Sequence, residues 1–381
     1  MIGQRRRLTL FRNIWPPASM DVYVNNLRRC LQDCVGDHWK ITECAPAPTY
    51  LLNPFQPVLR RIPFLNSYAN DWFLSRYVKY PLRARFSQGD INHLCDDSMG
   101  HLGNFLDRRK TIITCFDLRP LKLCLRESGA LKLHRFSLKG LRKAARVITV
   151  SEASKRDLLQ LTDCEARRIH VIPLGVTDCY KPLHEPDSLE MTRQKYGLDD
   201  RIWLLHVGLS WEHKNIEGIL RALRILLQQG RNVSLLKAGE ALSPHQRALA
   251  GSLEVNDHIH SLGHVSDRDL VAIYNIADVL LMPSFNEGFG LPILEAMACG
   301  TPVVTSNVSS MPEVAGQAAV LVDPHKPEEI ANAIGAVLTH EHLRARLRNA
   351  GFKRAGEFTW ERTAQKTLVV YEAVLREVSG S

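Results

Sequence analysis

The chain has 381 residues, of which 45% are hydrophobic, and a formal net charge of +9. This length exceeds one ordinary hydrophobic core and suits two domains. No segment approaches the roughly 20 apolar residues of a membrane span, and the N-terminal stretch lacks the apolar run of a signal peptide, so we expect a cytoplasmic protein. Nine scattered cysteines form neither a disulfide framework nor a zinc-binding pattern.

The positive charge is concentrated in the first half. Residues 1–180 contain 29 Lys and Arg against 16 Asp and Glu, whereas residues 181–381 contain 20 against 24. Such a basic half attracts nucleic acid, a phosphorylated ligand or an anionic membrane surface, although an ordinary solvated surface is an equal alternative. No nucleic-acid-binding motif is present, so we expect no nucleic acid partner. Basic clusters mixed with aromatic residues favour peripheral contact with the inner face of the membrane.

The first half alternates strand and helix patterns. After the strand "RLTLF", the segments "TIITCFDL" (111–118), "ARVITVSEASKRDLLQL" (145–161) and "RIHVIPLGV" (168–176) predict strands, with a helix after the second. Ser151 stands between that strand and its helix, where it is predicted to cap the helix. This order favours a parallel sheet.

The second half repeats the alternation more clearly. "IWLLHVG" (202–208) and "VSLLKAG" (233–239) predict strands, and "NIEGILRALRILLQQG" between them carries apolar residues at helical spacing. The segments that follow continue the pattern, which predicts a doubly wound parallel sheet. Parallel sheets bind ligands at the carboxyl ends of their strands.

A linker rich in proline and acidic residues is predicted between the two sheets, near residues 180–200. We therefore expect domains at residues 1–180 and 181–356, with a helix at residues 357–381 that crosses back to the first domain. Two sheets that face each other across a cleft suit a large polar ligand.

The segment "SFNEGFGLPILEAMACG" joins a glycine-containing loop to a helix. The preceding "DVLLMP" predicts a buried strand, and Pro292 suits the first helical position. The backbone N–H groups of Phe289, Gly290 and Leu291 are then predicted to be free at the positive end of the helix, where a phosphate is favoured.

Two carboxylates flank this predicted anion site. Glu287 lies on the loop, Glu295 is predicted in the first turn of the helix, and Gly288 lets a ligand approach the backbone. A carboxylate accepts hydrogen bonds from two neighbouring hydroxyls. Diols on both sides of a phosphate group describe a nucleotide sugar, with ribose at one end and a hexose at the other.

Several segments together resemble one enzyme family. "EGFGLPILEAMACGTPVVTSNVSSMPEVAGQAAVLVDP" is similar to the motif of two glutamates separated by seven residues in the retaining GT-B glycosyltransferases of family 4, also called group 1. The similarity extends from about residue 145 to 375 and is much weaker in residues 1–110. It implies an α/β fold of two facing, doubly wound, Rossmann-like parallel-sheet domains.

The resemblance also implies a nucleotide-sugar donor site in the domain at residues 181–356, and acceptor binding in the domain at residues 1–180. Glu295 matches the residue that binds the ribose hydroxyls, Glu287 the residue that meets the transferred sugar, and Lys214 the lysine that neutralises the diphosphate. The other implied donor-binding residues are Gly208 and Gly239 at strand ends, His213 beside the lysine, His264 and Val265 near the base, and Gly288, Phe289, Gly290 and Leu291 along the loop.

The implied chemistry needs no metal and no other cofactor. A lysine and a helix end can stabilise the departing diphosphate without one. No Asp-x-Asp pair stands in a convincing loop, and "CDD" at residues 95–97 is the nearest candidate. The resemblance implies retention of anomeric configuration, with the phosphate of the donor helping to deprotonate the acceptor.

The sequence departs from the family at two places. Leu209 and His213 stand where many relatives carry an arginine, so a protonated His213 is expected to help the lysine. Phe116 precedes Asp117 where the common family form has histidine. His101 is a candidate to supply the absent imidazole on the acceptor side together with Asp117, and a structural histidine is the equal alternative.

We therefore expect a hexosyltransferase whose catalytic residues are Glu287, Lys214, His101 and Asp117. Its acceptor would be a glycan or lipid-linked glycan in cell-surface polysaccharide synthesis, and the segment "EHKN" suggests GDP-mannose as donor. The alternative is a non-catalytic sensor or scaffold that binds nucleotide sugars. Epimerase and phosphorylase chemistry would need acid/base carboxylates or a pyridoxal lysine, and neither pattern stands out.

Overall fold

The computed structural model describes residues 5–13, 18–46, 75–118, 121 and 135–380. Two compact units make up the chain. Unit 1 contains Met1–Pro173 together with Trp360–Ser381, and unit 2 contains Leu174–Thr359. The predicted roles of the domains as acceptor-binding and donor-binding stay predictions.

Unit 1 is built on a six-stranded parallel sheet with the order β2-β1-β3-β4-β5-β6. Its strands are β1 Arg6–Phe11, β2 Trp39–Cys44, β3 Ile91–Leu94, β4 Thr111–Cys115, β5 Arg146–Thr149 and β6 Ile169–Val171. Its described α-helices are α1 Ala18–Val35, α2 Tyr80–Phe86, α3 Glu152–Leu161 and α12 Trp360–Ser379.

Unit 2 contains a second six-stranded parallel sheet, with the order β12-β11-β10-β7-β8-β9. Its strands are β7 Ile202–Gly208, β8 Val233–Gly239, β9 Ile259–Gly263, β10 Val279–Met282, β11 Val303–Ser306 and β12 Val320–Val322. Its helices are α4 Pro186–Tyr196, α5 Ile216–Gln228, α6 Pro244–Ser252, α7 Asp267–Ile276, α8 Leu291–Cys299, α9 Met311–Ala315, α10 Pro327–Thr339 and α11 Glu341–Gly356.

The apolar patterns of the sequence explain these elements. Strands such as β10 are buried along their whole length, as expected of a parallel sheet covered on both faces. Helix α5 turns Ile216, Ile219, Leu220 and Leu223 into the core of unit 2. The predicted α/β fold with two doubly wound parallel sheets is therefore confirmed.

Helix capping also follows the sequence. Ser151 precedes α3, and its Oγ accepts the backbone N–H of Ser154 at 3.0 Å, so the predicted cap is confirmed. The last helix, α12, packs against α1 within unit 1. The oxygen Oγ1 of Thr363 in this helix donates to the carbonyl of Pro173 at 2.8 Å.

Candidate active site

The site in unit 2 begins at the point where its strand order reverses. Strand β7 lies at the centre of the sheet, with β8 and β9 on one side and β10 to β12 on the other. Ligands of open parallel sheets bind at such a switch point, beyond the carboxyl ends of the strands. The loops that follow β7 and β10 carry Lys214 and Glu287 respectively, so the topology brings two predicted site residues to this point.

Lys214 and Glu287 form an ion pair. The ammonium Nζ of Lys214 lies 2.7 Å from Oε1 of Glu287, and the two side chains are 13% and 8% exposed. Removing one partner of a pair this buried leaves an uncompensated charge, which is strongly unfavourable. The pair therefore holds a cation and a carboxylate in a fixed position at the end of the sheet.

Two serines hold the loop that carries Glu287. The backbone N–H of Glu287 donates to Oγ of Ser309 at 3.1 Å, and that hydroxyl lies 2.9 Å from the Glu287 carbonyl. The hydroxyl of Ser310 lies within hydrogen-bond distance of the carbonyls of Glu287 and Phe289, at 3.0 and 2.9 Å. The loop is thus fixed by side chains from the segment after β11, and not by its own turn alone.

Asn215 connects the loop of Lys214 to the rest of unit 2. It has a left-handed backbone with φ of 56°, and its side chain accepts the N–H of Gly218 to cap α5. Its Nδ2 group donates to the carbonyls of Pro283 and Pro324 at 3.0 and 2.7 Å. Because these carbonyls follow β10 and β12, one amide side chain ties the loops of three strands together.

The N-terminus of α8 lies directly after the loop of Glu287. Gly290 precedes the helix with φ of 106°, a conformation that favours glycine. Within the part of the chain that the structure describes, the backbone N–H groups of Phe289, Gly290 and Leu291 make no hydrogen bond. A helix end with such donors suits an anion.

Glu295 does not lie in the first turn of α8, and that prediction is wrong. The helix begins at Leu291 with Pro292 second, so Glu295 is the fifth residue and its side chain projects from the second turn. There its Oε2 accepts the hydroxyl of Tyr274 at 2.7 Å. Burial raises the pKa of Glu295 to about 7, although hydrogen bonds from Tyr274 and Tyr180 act in the opposite direction.

Gly208 and Gly239 end β7 and β8 as predicted, and they are paired in register. At Gly239 φ is +98°, and a Cβ atom would approach the Gly208 carbonyl oxygen to 2.5 Å, so no side chain fits there. At Gly208 a Cβ would lie 3.9 Å from Nζ of Lys214. Glycine at position 239 is therefore required by the close approach of the Gly208 backbone, whereas a Cβ at position 208 would only reach van der Waals contact with Lys214.

A second lysine contacts the backbone of Gly208. The fully buried Lys237 in β8 donates from Nζ to the Gly208 carbonyl at 2.6 Å and lies 3.3 Å from the Ala238 carbonyl. Burial lowers the pKa of Lys237 to about 8; Glu240 acts against this shift, and Lys214 adds to it. Two ammonium groups thus flank one backbone position at the switch point.

The remaining predicted donor residues occupy different environments. The side chain of His213 is buried against Trp211, with ring centroids 5.7 Å apart, and its carbonyl accepts the N–H of Phe285 at 2.8 Å. His264 and Val265 follow β9, the first exposed and the second buried. Their role near the base stays a prediction.

His101 and Asp117 lie in unit 1. His101 is 2% exposed, its Nε2 is 3.1 Å from the carbonyl of Arg76, and its ring packs on Tyr77 with centroids 4.7 Å apart. Burial lowers its pKa to about 4, so the imidazole is neutral at pH 7. Asp117 is half-buried and is one of the carboxylates that raise the pKa of the buried Asp97.

Several contributors to the site were missed from the sequence, among them Lys237, Tyr274 and Ser310. Lys237 had a signal, because a single lysine interrupts the apolar strand "VSLLKAG" and lysines are rarely buried without a partner. Tyr274 and Ser310 had none, since both act through contacts between segments far apart in the chain.

The described residues contain neither a metal-binding cluster nor a helix that could cross a membrane. No three His, Cys, Asp or Glu side chains in this part of the chain lie together as a metal-binding group. Among the same residues, no helix combines the length and apolar character that crossing a lipid bilayer requires.

Comparison with known families matches both halves of the chain. The model described as "Glycosyl transferases group 1" matches residues 190–354, and the model described as "Glycosyltransferase Family 4" matches residues 20–178. Together these two matches cover most of the chain.

Individual relatives agree with these models. The O-antigen chain mannosyltransferase B of Escherichia coli is 36% identical over 231 residues, which cover 59% of this chain and 60% of that protein. A serotype-specific mannosyltransferase, WbdA, of the same species is 27% identical over 70% of this chain but 34% of its own length. The matched part thus spans less than two thirds of each of these relatives, 60% of the first and 34% of the second.

The solved structures give the same fold. The Anabaena protein HepE, determined in complex with UDP and glucose, superimposes with a TM-score of 0.72 at 17% identity, over 99% of this chain and all of that one. Two six-stranded parallel sheets with GT-B neighbours make this a GT-B protein. The chain belongs to the glycosyltransferases of family 4, the family also called group 1.

Proposed function

We propose that this protein transfers a hexose from a nucleotide diphosphate sugar to a glycan or lipid-linked glycan acceptor, in the synthesis of a cell-surface polysaccharide. The observation that carries the proposal is the buried Lys214–Glu287 pair at the switch point of unit 2, next to N–H groups at the start of α8 that make no hydrogen bond among the described residues. A cation and free donors at one place suit a diphosphate.

The donor-binding roles follow from the contacts. The ammonium of Lys214 would bind the diphosphate, and the N–H groups before α8 would bind a phosphate or a sugar hydroxyl. Glu287, fixed by Ser309 and Ser310, would accept hydroxyls of the transferred hexose. Glu295, oriented by Tyr274, would accept the ribose hydroxyls.

In the transfer, the bond from the anomeric carbon to the diphosphate oxygen breaks, and a bond from that carbon to the acceptor oxygen forms. The acceptor proton passes to the departing phosphate, which accounts for both charges and atoms. Negative charge grows on the diphosphate, so fixed cations beside it stabilise the transition state most. We propose that this occurs without a metal ion and with retention of configuration.

Lys237 provides the charge that the absent family arginine would supply. Its ammonium is bonded to the carbonyl of Gly208, and the ammonium of Lys214 lies 3.9 Å from the position that a Cβ atom of this glycine would take. Because Lys237 is fully buried, it would act through its field and by fixing the Gly208 peptide, and not by touching the donor. It is therefore a positioning residue.

The relatives favour mannose as the transferred sugar, because two of them are named mannosyltransferases. We accordingly propose GDP-mannose as donor. Because HepE was determined with UDP, UDP-sugars are the alternative donors to compare.

His101 and Asp117 are proposed for the acceptor side. If His101 has that role, His101→Ala should lower transfer at least 10²-fold, and a change within twofold would remove His101 from the mechanism.

A panel of GDP-, UDP-, ADP- and dTDP-sugars in a thermal-shift measurement tests the donor. A ligand at 100 times its dissociation constant stabilises the protein by about 2.7 kcal/mol. We expect a shift with GDP-mannose that Glu295→Ala reduces, and release of GDP when acceptor is added, unchanged by EDTA. Binding without any turnover would favour the sensor alternative, and no shift with any donor would contradict the proposal.

A further inference from the structure

The helical segment Ser75–Phe86 of unit 1 has an outer face made only of apolar and basic side chains. The segment consists of one π-helical turn, Ser75–Lys79, continued by α2. Its exposed residues are Val78, Lys79, Leu82, Arg83, Arg85 and Phe86. The three apolar side chains are 46%, 55% and 81% exposed, respectively, which is unusual for large hydrophobic residues.

The spacing arranges these side chains in an ordered way. Val78, Leu82 and Phe86 are four residues apart, so they form one stripe along the helix. At about 100° per residue, Lys79 and Arg83 lie on one side of this stripe and Arg85 lies on the other. An apolar stripe with cations on both sides is the pattern of a helix that lies in a membrane interface.

The opposite face of the segment is anchored in the core. The hydroxyl of Tyr80 lies within hydrogen-bond distance of the carbonyls of Arg12 and Cys44, at 2.9 and 2.7 Å, and Ala84 is fully buried. Both side chains belong to a buried hydrophobic cluster of unit 1. The outer face is therefore held in one orientation, and its apolar stripe is not a displaced part of this core.

The surface beside the end of α2 has the same character. The backbone N–H of Asp107 donates to Oε1 of Gln88 at 2.7 Å, which places residues 104–110 beside the residues that follow α2. Phe105 is 40% exposed there, and Arg108 and Arg109 are exposed. Asp107, the acidic residue of this stretch, lies 3.5 Å from Arg109.

We propose that the outer face of Ser75–Phe86 docks the protein on an anionic lipid bilayer. Its apolar stripe would enter the boundary between headgroups and acyl chains, while Lys79, Arg83 and Arg85 would meet lipid phosphates. A second copy of the chain is disfavoured as the occupant, because it would bring the cations of two identical faces together. The inference goes beyond the proposed function, and its test needs no substrate.

Vesicle co-sedimentation of the full chain tests the proposal. Vesicles of phosphatidylcholine with 30% phosphatidylglycerol should bind the protein, vesicles of phosphatidylcholine alone should bind it much less, and raising the salt from about 0.05 to 0.5 M should release it. Leu82→Ser with Phe86→Ser should weaken binding at least tenfold. Arg83→Gln with Arg85→Gln should weaken it about 25-fold at low salt, since each basic residue contributes roughly fivefold.

Matched controls separate the face from general charge and hydrophobicity. Val369→Ser removes an apolar side chain that is 61% exposed on α12, and Arg156→Gln with Arg167→Gln removes two charges elsewhere on unit 1. Both controls should bind like the parent protein. Thermal melting of each variant establishes that it is folded.

Four results would overturn the proposal. The parent protein could fail to bind anionic vesicles. Alternatively, the two double variants of the outer face could bind as well as the controls. If only Arg83→Gln with Arg85→Gln lost binding, the apolar stripe would play no part and the face would bind polyanions through charge alone. Finally, light scattering could show a dimer that becomes monomeric in Leu82→Ser with Phe86→Ser, while the parent protein does not bind vesicles. The face would then be a self-association surface.

Discussion

The two units share a sheet plan, yet their switch points differ in chemistry. In unit 2, the point between β7 and β10 holds a buried cation and carboxylate, Lys214 and Glu287, beside backbone donors that have no partner in the described residues. In unit 1, the equivalent point between β1 and β3 is occupied by a network: Nδ2 of Asn13 lies 3.4 Å from Asp96, and Arg76 donates to Asn13 and to Ser98.

The difference between the two switch points indicates which of them can bind a ligand. At the switch point of unit 1 the polar side chains bond to one another, so a variant there is expected to change the stability. The donors of unit 2 are positioned but not satisfied, which is the condition under which a ligand gains most. Variants at the two switch points should therefore affect different measurements.

The largest effect should come from breaking the ion pair of unit 2. We expect Lys214→Met to lower the rate of transfer about 10³-fold, because it removes the cation nearest the departing diphosphate. Single-turnover release of the nucleoside diphosphate at saturating donor measures this. Lys214→Arg should recover part of the rate, and Lys326→Met, which removes an exposed lysine of the same unit, should have none of the effect. A loss below tenfold in Lys214→Met would contradict the assignment.

The next effect concerns the ribose contact and has a defined pH dependence. Glu295→Ala should weaken nucleotide binding 10- to 100-fold, since hydrogen bonds to a charged group are worth about 1.5–3 kcal/mol. The pKa of Glu295 is raised to about 7, and ribose hydroxyls favour the ionised carboxylate. In the parent protein, affinity should therefore fall as pH falls from 8 to 6, with a proton released on binding.

Titration calorimetry at pH 6, 7 and 8 measures this slope. Glu295→Gln is the matched control, because it keeps the shape of the side chain but cannot ionise. Its weaker affinity should be nearly constant across this range. A parallel pH slope in the parent protein and in Glu295→Gln would assign the proton to another group.

A smaller effect, with the opposite pH dependence, is expected at Lys237. Its pKa is lowered to about 8, and a nearby diphosphate favours the ammonium, so affinity should decline as pH rises above 8. The charged and titratable groups around it are Lys214, Glu240 and the buried His206, its register partner on β7. Lys237→Met should remove this alkaline decline and lower affinity about three- to tenfold.

Calorimetry at pH 7.5 and 9 measures the contribution of Lys237 to the pH dependence of nucleotide affinity. The parent protein should take up a proton on binding nucleoside diphosphate near pH 8, whereas Lys237→Met should not. An unchanged alkaline slope in a folded Lys237→Met would show that the buried ammonium plays no part. If neither protein binds nucleotide, the donor proposal itself is what has failed.

The sequence was sufficient for the fold and for the elements of the site, but not for its side-chain partners. Apolar periodicity predicted β7, α5 and β10, because a parallel sheet requires long apolar runs. The sequence pattern placed Glu295 one residue too early, as the fourth and not the fifth residue of the helix, because Pro292 was taken as the first helical residue. The contact from Tyr274 to Glu295 joins two helices, and no local pattern encodes such a contact.

The smallest expected effect concerns the network of unit 1. Arg76 is a buried cation like Lys214, but its Nη2 atom donates to the carbonyl and hydroxyl of Ser98 at 2.7 and 2.8 Å. Arg76→Met should lower the melting temperature by about 4–10 °C, since about 1 kcal/mol corresponds to 2–4 °C in units of this size. The additional increase in melting temperature caused by the donor should stay unchanged.

Arg83→Met, an exposed neighbour, should move the melting temperature by no more than about 2 °C. A lost donor shift in Arg76→Met would mean that the network of unit 1 takes part in donor binding, and the division between a structural and a chemical switch point would be wrong.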